Sequence, residues 1–284
     1  MAFLSIVISL LIDRFFLESD SYRQHHWFKD YAGWVARRTF AENTYSRNLG
    51  LLLILAPLLL IVAWLQTKFD SGLLGLAFNS GMLLLCLGPM DLDRQVNAFL
   101  DADDKQQVEQ GHSLAGEIIH GPVPEDETQL SRVLAESIFI QACSRIFGVL
   151  FWFLLLGPMG AVLFRLTQQL LKQTDDVGAI QHLLNILNWI PARLSALAYG
   201  IGGSFDDALH GWRQHYTLIN QYPGDSSAPI LAGAGMGALK LNESDDGELP
   251  SPAIAAESAL NLVWRASLIW VGLLGFAYLI NWIS

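Results

Sequence analysis

SRVLAESIFIQACSR (Ser131–Arg145), IFGVLFWFLLLGPMGAVLF (Ile146–Phe164) and LLNILNWIPARL (Leu183–Leu194) are the segments of the stretch whose reading decides the fold. The first is a charged amphipathic lead-in, and the second is the longest uncharged run in the middle of the chain. About 20 apolar residues rising 1.5 Å each cross a hydrocarbon core of roughly 30 Å, so Ile146–Phe164 is expected to be a membrane segment. Gly157, Pro158 and Gly160 interrupt it. Proline removes a backbone donor that lipid cannot replace, so the break requires protein or a polar cavity around it. The segment is therefore a candidate pocket wall as well as an anchor.

Working outward, the whole chain has the composition of a membrane protein with sizeable aqueous parts. Of its 284 residues 52% are apolar and 15% charged, whereas soluble domains carry about 25% charged residues. Mean hydropathy is +0.35. A formal net charge of -10 excludes nucleic acid as a partner, since phosphate binding needs clustered Lys and Arg. The two cysteines, Cys86 and Cys143, lie in or beside apolar segments. They form no disulfide framework and are expected to be buried, inert thiols.

Toward the N-terminus, residues 1–12 (MAFLSIVISLLI) lack a basic start and a small-residue cleavage site, so they are expected to pack at the membrane boundary or against the other spans, not to act as a signal peptide. Aromatic residues among Arg37, Arg38 and Arg47 suit the headgroup layer. His25 and His26 are adjacent, point to different helix faces and have no third ligand nearby, which speaks against a metal. Leu49–Leu65, with Pro57 inside it, and Gly72–Met90 make a tight membrane hairpin, and Asn79 is expected to hydrogen-bond a neighbouring helix.

Asp91–Pro124 is the first large polar region; its DLDRQVNAFLDADD run reads as a solvated helix face. Glu117 and His120 stand at i, i+3, expected to share a helix face. Di-metal carboxylate sites use that spacing but need several further ligands, so a hydrogen-bonded polar cluster is expected. Gly121-Pro122-Val123-Pro124 ends the helix, and Glu125-Asp126-Glu127 charges the start of the next one favourably. Beyond the central stretch, Gly200–Gly203 breaks the chain and Ser204–Asn220 reads as an exposed amphipathic helix. Gly233, Gly235 and Gly237, with Lys240 close behind, allow either a tight backbone that cradles an anion or close packing of helices. Tyr222–Ala228 and Asn242–Pro252 are loops, and Ala266–Ile283 is the last span.

The reading is an all-α, polytopic integral membrane protein with three to five membrane segments and helical cytoplasmic regions. Its parts are 1–48 (membrane-boundary helices), 49–90 (transmembrane hairpin), 91–145 (cytoplasmic), 146–203 (interrupted or re-entrant), 204–265 (cytoplasmic) and 266–284 (last span). Full crossing by Ile146–Phe164 without a return divides Lys and Arg about ten to seven between the two sides. Re-entry at Gly157–Gly160 instead leaves Lys68 alone on the far side, the asymmetry of a cytoplasmic face. A return through Leu183–Gly203 gives the same result, although Arg193 then costs on the order of 3 kcal/mol unless paired or snorkelling.

FWFLLLGPMGAVLFRL, NWIPARLSAL and AGAGMGAL before a last span resemble the integral-membrane cobamide-biosynthesis superfamily, whose enzyme branch comprises the adenosylcobinamide-phosphate synthases. GEIIHG and the order of the segments are most similar to its AmpE branch, inner-membrane modulators associated with β-lactamase induction. The resemblance implies that synthases carry Glu-Asn and Asp-Gly at the places held here by Ile140, Gln141, Ser144 and Arg145. They also carry Asn-Thr-Leu-Asp where Gln168, Gln169, Leu170 and Leu171 stand, and paired aspartates at Leu184 and Asn185. Magnesium and triphosphate chemistry needs such carboxylates, so no catalytic residues, metal or cofactor are expected.

The resemblance thus implies a non-catalytic sensor or modulator in the bacterial inner membrane, with its large polar regions cytoplasmic. Its partners would be membrane lipids and a metabolite or protein of cell-wall recycling. The candidate ligand pocket comprises Glu117, His120, Glu136, Arg165, Asn188, Arg193, Gly233, Gly235, Gly237 and Lys240. Two other readings remain: a ligase with a site relocated to Glu117, His120, Glu136 and Arg193, and a small-solute transporter built on the broken helix.

Overall fold

The computed structural model describes residues 4–9, 44–69, 72–87, 91–173, 178–217, 227–241 and 249–283. His25, His26 and the aromatic and basic stretch up to residue 43 lie outside the described residues, as do residues 222–226 and 242–248 of the two expected loops. Every described regular element is helical, and no strand occurs among the described residues.

The chain runs through α1 (Thr44–Lys68), α2 (Gly72–Cys86), α3 (Asp91–Asp104), α4 (Val108–Ile119) and α5 (Glu127–Ala142). A π-turn, Cys143–Phe147, joins α5 to α6 (Gly148–Leu156). Then follow α7 (Pro158–Gln173), α8 (Gly178–Gly202), α9 (Phe205–Thr217), α10 (Ser227–Ala238) and α11 (Pro252–Ile283). Among the described residues one helix is long and apolar enough to cross a membrane, the run Glu127–Leu156; Leu53–Lys68 and Gly72–Cys86 are shorter apolar helices. Asp126 caps that run as its charge suggests, accepting from the Gln129 amide at 2.9 Å.

The expected segment Ile146–Phe164 is broken at Gly157, where its glycines and proline imply an interruption. The helix stops at Leu156 because Gly157 takes a left-handed φ of 68°, which a side chain would resist. Pro158 then opens α7, where its missing N–H costs nothing. α7 folds back on α6 so closely that a Cβ added to Gly160 would lie 2.2 Å from the Trp152 carbonyl oxygen. The apolar helix instead takes in the charged lead-in and starts at Glu127.

The helices divide into two compact units, Met1–Pro89 with Gly148–Asn188, and Met90–Phe147 with Trp189–Ser284. In the first, α7 packs on α1, α2 and α6, around Leu83, Phe153 and Phe164. Residues 4–9 join it through the Ser9 hydroxyl, which donates to the Ser80 carbonyl at 3.1 Å.

In the second unit α10 is buried along almost its whole length. Such burial requires neighbouring chains to approach its backbone. A Cβ on Gly235 would meet the Phe139 ring of α5 at 2.3 Å, and one on Gly237 would meet the Asp207 carbonyl of α9 at 2.2 Å. Tyr199, fully buried on α8, packs on Phe139 with centroids 5.0 Å apart. Its hydroxyl donates to the Phe139 carbonyl at 3.0 Å. Phe147 stacks on Trp270 of α11 at 5.6 Å. Of the two readings left open for the glycine segment, the structure takes close helix packing, and the anion cradle is corrected. Its backbone is a regular helix, so its amides are engaged along the helix axis. Lys240 lies past the C-terminal end, where carbonyls point outward. It takes a left-handed φ of 58° and closes α10 with Lys240 N on Gly237 O and Leu241 N on Met236 O.

Gly235→Ala is expected to cost about 1–3 kcal/mol of stability by overpacking against Phe139. Gly272→Ala, whose Cβ would meet nothing within 4 Å, is expected to cost almost nothing. Thermal unfolding of the detergent-solubilised chain checks both, and equal melting of all three proteins would refute the close contact.

Candidate functional site

The residues expected to form one pocket are divided between the two units. Arg165 and Asn188 belong to the first unit, and Glu117, His120, Glu136, Arg193, the three glycines and Lys240 to the second.

At the end of α4 the expected shared face of Glu117 and His120 is corrected. The helix ends at Ile119, and His120 adopts φ 57°, ψ 32°, with its amide on the Gly116 carbonyl. An i, i+3 pair shares a face only while the helix continues. Both side chains are exposed. His120 is drawn instead toward α5: its Nδ1 lies 3.3 Å from Gln141 Nε2, and the same amide donates to the Ile118 carbonyl. Gln141 thus caps α4 from another helix, satisfying a last-turn carbonyl. One turn on, in the π-turn, Arg145 donates to Gln95 Oε1 of α3 at 3.1 Å. On the same helix Asp93 accepts from the Trp264 indole of α11 at 3.2 Å. Glu136 is half-buried on α5.

The NWIPAR phrase lies inside α8 with Pro191 in the helix interior. A proline there withholds the N–H that the carbonyl four residues earlier would accept. That carbonyl is Leu187, and the Trp152 indole of α6 donates to it at 3.0 Å. Asn188 Oδ1 is buried with no hydrogen-bond partner among the described residues. Arg193 turns back along its own helix, donating to the Trp189 carbonyl at 2.8 Å, with its guanidinium 4.0 Å from the Trp189 ring centroid.

On α7, Arg165 donates to Gln168 at 3.3 Å. On α8, the Gln181 amide donates to Asn185 at 2.8 Å. Neutral amides therefore occupy part of the region where the resemblance implies carboxylates. Among the described residues no three His, Cys, Asp or Glu side chains gather as metal ligands would.

Lys240 has a specific partner, Asp207 of α9, at 3.6 Å, and both are well exposed. The Ser204 hydroxyl bonds the Asp207 carboxylate. That bond first, and Lys240 after it, hold the carboxyl below its ordinary value, while desolvation pulls the other way. A carboxyl lowered in the folded state stabilises the fold above its unfolded pKa, and the contribution disappears as pH falls through the folded value. Any acid-linked loss here thus lies below about pH 3.8.

Several of these roles escaped sequence reasoning. Trp152 had a usable signal, because Pro191 obliges something to satisfy Leu187. Gln141 and Arg145 were visible only as departures from an acidic pattern, and nothing local announces a partner such as Gln95.

A family model described as CobD/Cbib protein matches residues 6–245. Over 257 residues the chain is 29% identical to the cobalamin biosynthesis protein CobD of Chromobacterium violaceum, covering 84% of this chain and 80% of that one. It is 27% identical over 242 residues to the protein of the same name from Stutzerimonas stutzeri, covering 77% and 78%. It is 24% identical over 233 residues to protein AmpE of Shigella flexneri, covering 75% and 78%. No solved structure matches.

Trp152→Phe keeps an aromatic ring but removes the donor, leaving the Leu187 carbonyl unsatisfied at an expected cost of about 1–3 kcal/mol. In a Pro191→Ala background the helix regains its own N–H, so the same substitution should cost clearly less. A double-mutant cycle in detergent measures the difference, and strict additivity would show that the indole does not serve that carbonyl.

Proposed function

We propose, since this chain belongs to the CobD/Cbib protein family, that it keeps the family's helical membrane scaffold without the ligase reaction and acts as an AmpE-type modulator. It would be a multi-pass protein of the bacterial inner membrane, with regions 91–145 and 204–265 facing the cytoplasm. There it would bind a ligand or partner of cell-wall recycling and bias β-lactamase induction.

The observation carrying this reading is the use made of Gln141 and Arg145. They stand where the synthase pattern implies Asn and Gly beside the acids, yet here they join helices: Gln141 holds the end of α4 and Arg145 holds α3. Ile140 and Ser144 take the places of the acids themselves. A site that closes around magnesium and triphosphate needs fixed negative charge for the hard cation. Neutral and cationic side chains already committed to helix packing do not supply it. A neutral or singly charged ligand asks only for shape and a few hydrogen bonds. The unsatisfied Asn188 Oδ1 is one acceptor available for such a bond.

The second reading, an amide-forming ligase of cobamide synthesis with an altered site, draws support from the two CobD relatives. Their identities of 29% and 27% exceed the 24% to AmpE. Expression in cells lacking CobD distinguishes the readings. Under the modulator reading the chain fails to restore cobamide synthesis. Purified with magnesium and ATP, it forms no amide between cobyric acid and an amino-alcohol phosphate. Substituting Glu117 or His120 shifts β-lactamase induction instead. Restored growth, or magnesium-dependent ATP consumption abolished by Glu136→Ala, would establish the ligase.

A further inference from the structure

α8 carries an uncovered apolar face in its second half. Ile190, Leu194, Leu197 and Ile201 are 41%, 39%, 40% and 60% exposed. At 100° per residue they fall within a narrow arc of the helix, while Ala192, Ser195, Ala196, Ala198 and Tyr199 are buried on its other sides. Ile186, 55% exposed, extends the same arc by one turn, so from Ile186 to Ile201 the stripe measures roughly 22 Å at 1.5 Å per residue, short of a ~30 Å hydrocarbon core. It is too short to cross a bilayer.

Its two ends carry the information about what covers it. Near the first, one turn past Ile186, the guanidinium of Arg193 lies over the ring of Trp189, itself 51% exposed. An aromatic and a cation stacked beside an apolar face suit the headgroup layer. The pairing recurs on α1, where Lys68 Nζ sits 6.0 Å from the Trp64 ring beside exposed Leu60 and Ile61. At the other end, exposed Arg265 donates to the carbonyl of Gly202 at 3.0 Å. Arg265 is the last charged residue before the apolar run Ala266–Ile283 of α11, with Leu268, one turn on, 69% exposed. A charged residue that ends an apolar membrane run stands at the headgroup level. With Ala266–Ile283 as the last span expected from the sequence, this hydrogen bond sets the C-terminal end of α8 at the depth where α11 would enter the membrane, and Arg193 with Trp189 suits a like depth near the other end.

We propose that the second half of α8 is an in-plane membrane helix. Ile190, Leu194, Leu197 and Ile201 lie against the acyl chains of one leaflet, and Arg193 and Arg265 contact anionic lipid phosphates at its two ends. A helix of this kind sinks about 5–10 Å below the surface. The lipid leaflet, and no protein partner, is the occupant of this face.

Spin labels on the full chain in nanodiscs of phosphatidylethanolamine and phosphatidylglycerol test it. Cysteines are introduced one at a time as Leu194→Cys, Leu197→Cys and Ile201→Cys, all at exposed positions, while native Cys86 and Cys143 are buried and stay unlabelled. Arg213→Cys on the exposed side of α9 is the aqueous reference. The expected result is greater accessibility to oxygen than to a water-soluble nickel complex at all three α8 sites, at closely similar depths, with the order reversed at the reference. Greater nickel accessibility on α8 would place the face in water. Low accessibility to both reagents would place it under protein, a second copy included. Depth increasing steadily from Leu194 to Ile201 would make the helix a crossing segment. Each of these three outcomes overturns the proposal.

Discussion

A backbone carbonyl removed from water must find a donor, and much of this structure is arranged around that requirement. Pro191 leaves the Leu187 carbonyl bare in the middle of α8, and the Trp152 indole takes it. Tyr199 donates to Phe139, Gln141 to Ile118, Arg265 to Gly202 and Ser131 to Pro250. In each case a side chain from a distant part of the sequence ends on a main-chain oxygen of another segment. Packing of apolar helices alone is poorly directional, whereas a hydrogen bond to a particular carbonyl fixes the register of one helix against another. The polar residues in the described core thus serve chiefly as fasteners.

That use of polar side chains bears on function. An atom engaged as a fastener is not at the same time a ligand, although the Oε1 of Gln141 stays buried with no hydrogen-bond partner among the described residues. Gln141 and Arg145 bind α5 and its π-turn to α4 and α3. The buried α10 presses Gly235 against Phe139 of the same helix. In this chain the segment around Gln141 and Arg145 is tied to three other helices of the second unit.

Local signals in the sequence were read correctly where the deciding physics is local. Helix α1 tolerates Pro57, a helix starts at the acidic run Glu125–Glu127, and the chain breaks at Gly157 and again at Gly203. Misreadings arose where one residue's backbone or a remote partner decides. Hydropathy set the start of the central segment at Ile146, because a window that counts apolar residues stops at the charged lead-in, whereas the helix runs back to Glu127. The spacing of Glu117 and His120 presupposed a helix that in fact ends between them. The glycines of α10 allowed two backbones, and the neighbours Phe139 and Asp207, remote in sequence, select the helical one. Trp264 and Asp93 stand 171 residues apart, and no local pattern encodes their meeting.

The NWIPAR phrase shows why a shared motif need not carry a shared reaction. Within it Pro191 and Ala192 face inward, and Pro191 creates the carbonyl vacancy that ties α8 to Trp152. Trp189, Ile190 and Leu194 face outward as exposed apolar surface, and Arg193 folds back over Trp189. Asn188 alone offers a buried, unsatisfied polar atom. Most of the phrase is therefore accounted for by a helix that must accommodate a proline on one side and meet an apolar environment on the other. Those demands act equally on a synthase and on a protein that performs no synthesis. Retention of the phrase argues for the scaffold and its setting in the membrane, and the reaction has to be argued from the side chains around Gln141, Gln168 and Asn185, which here are amides.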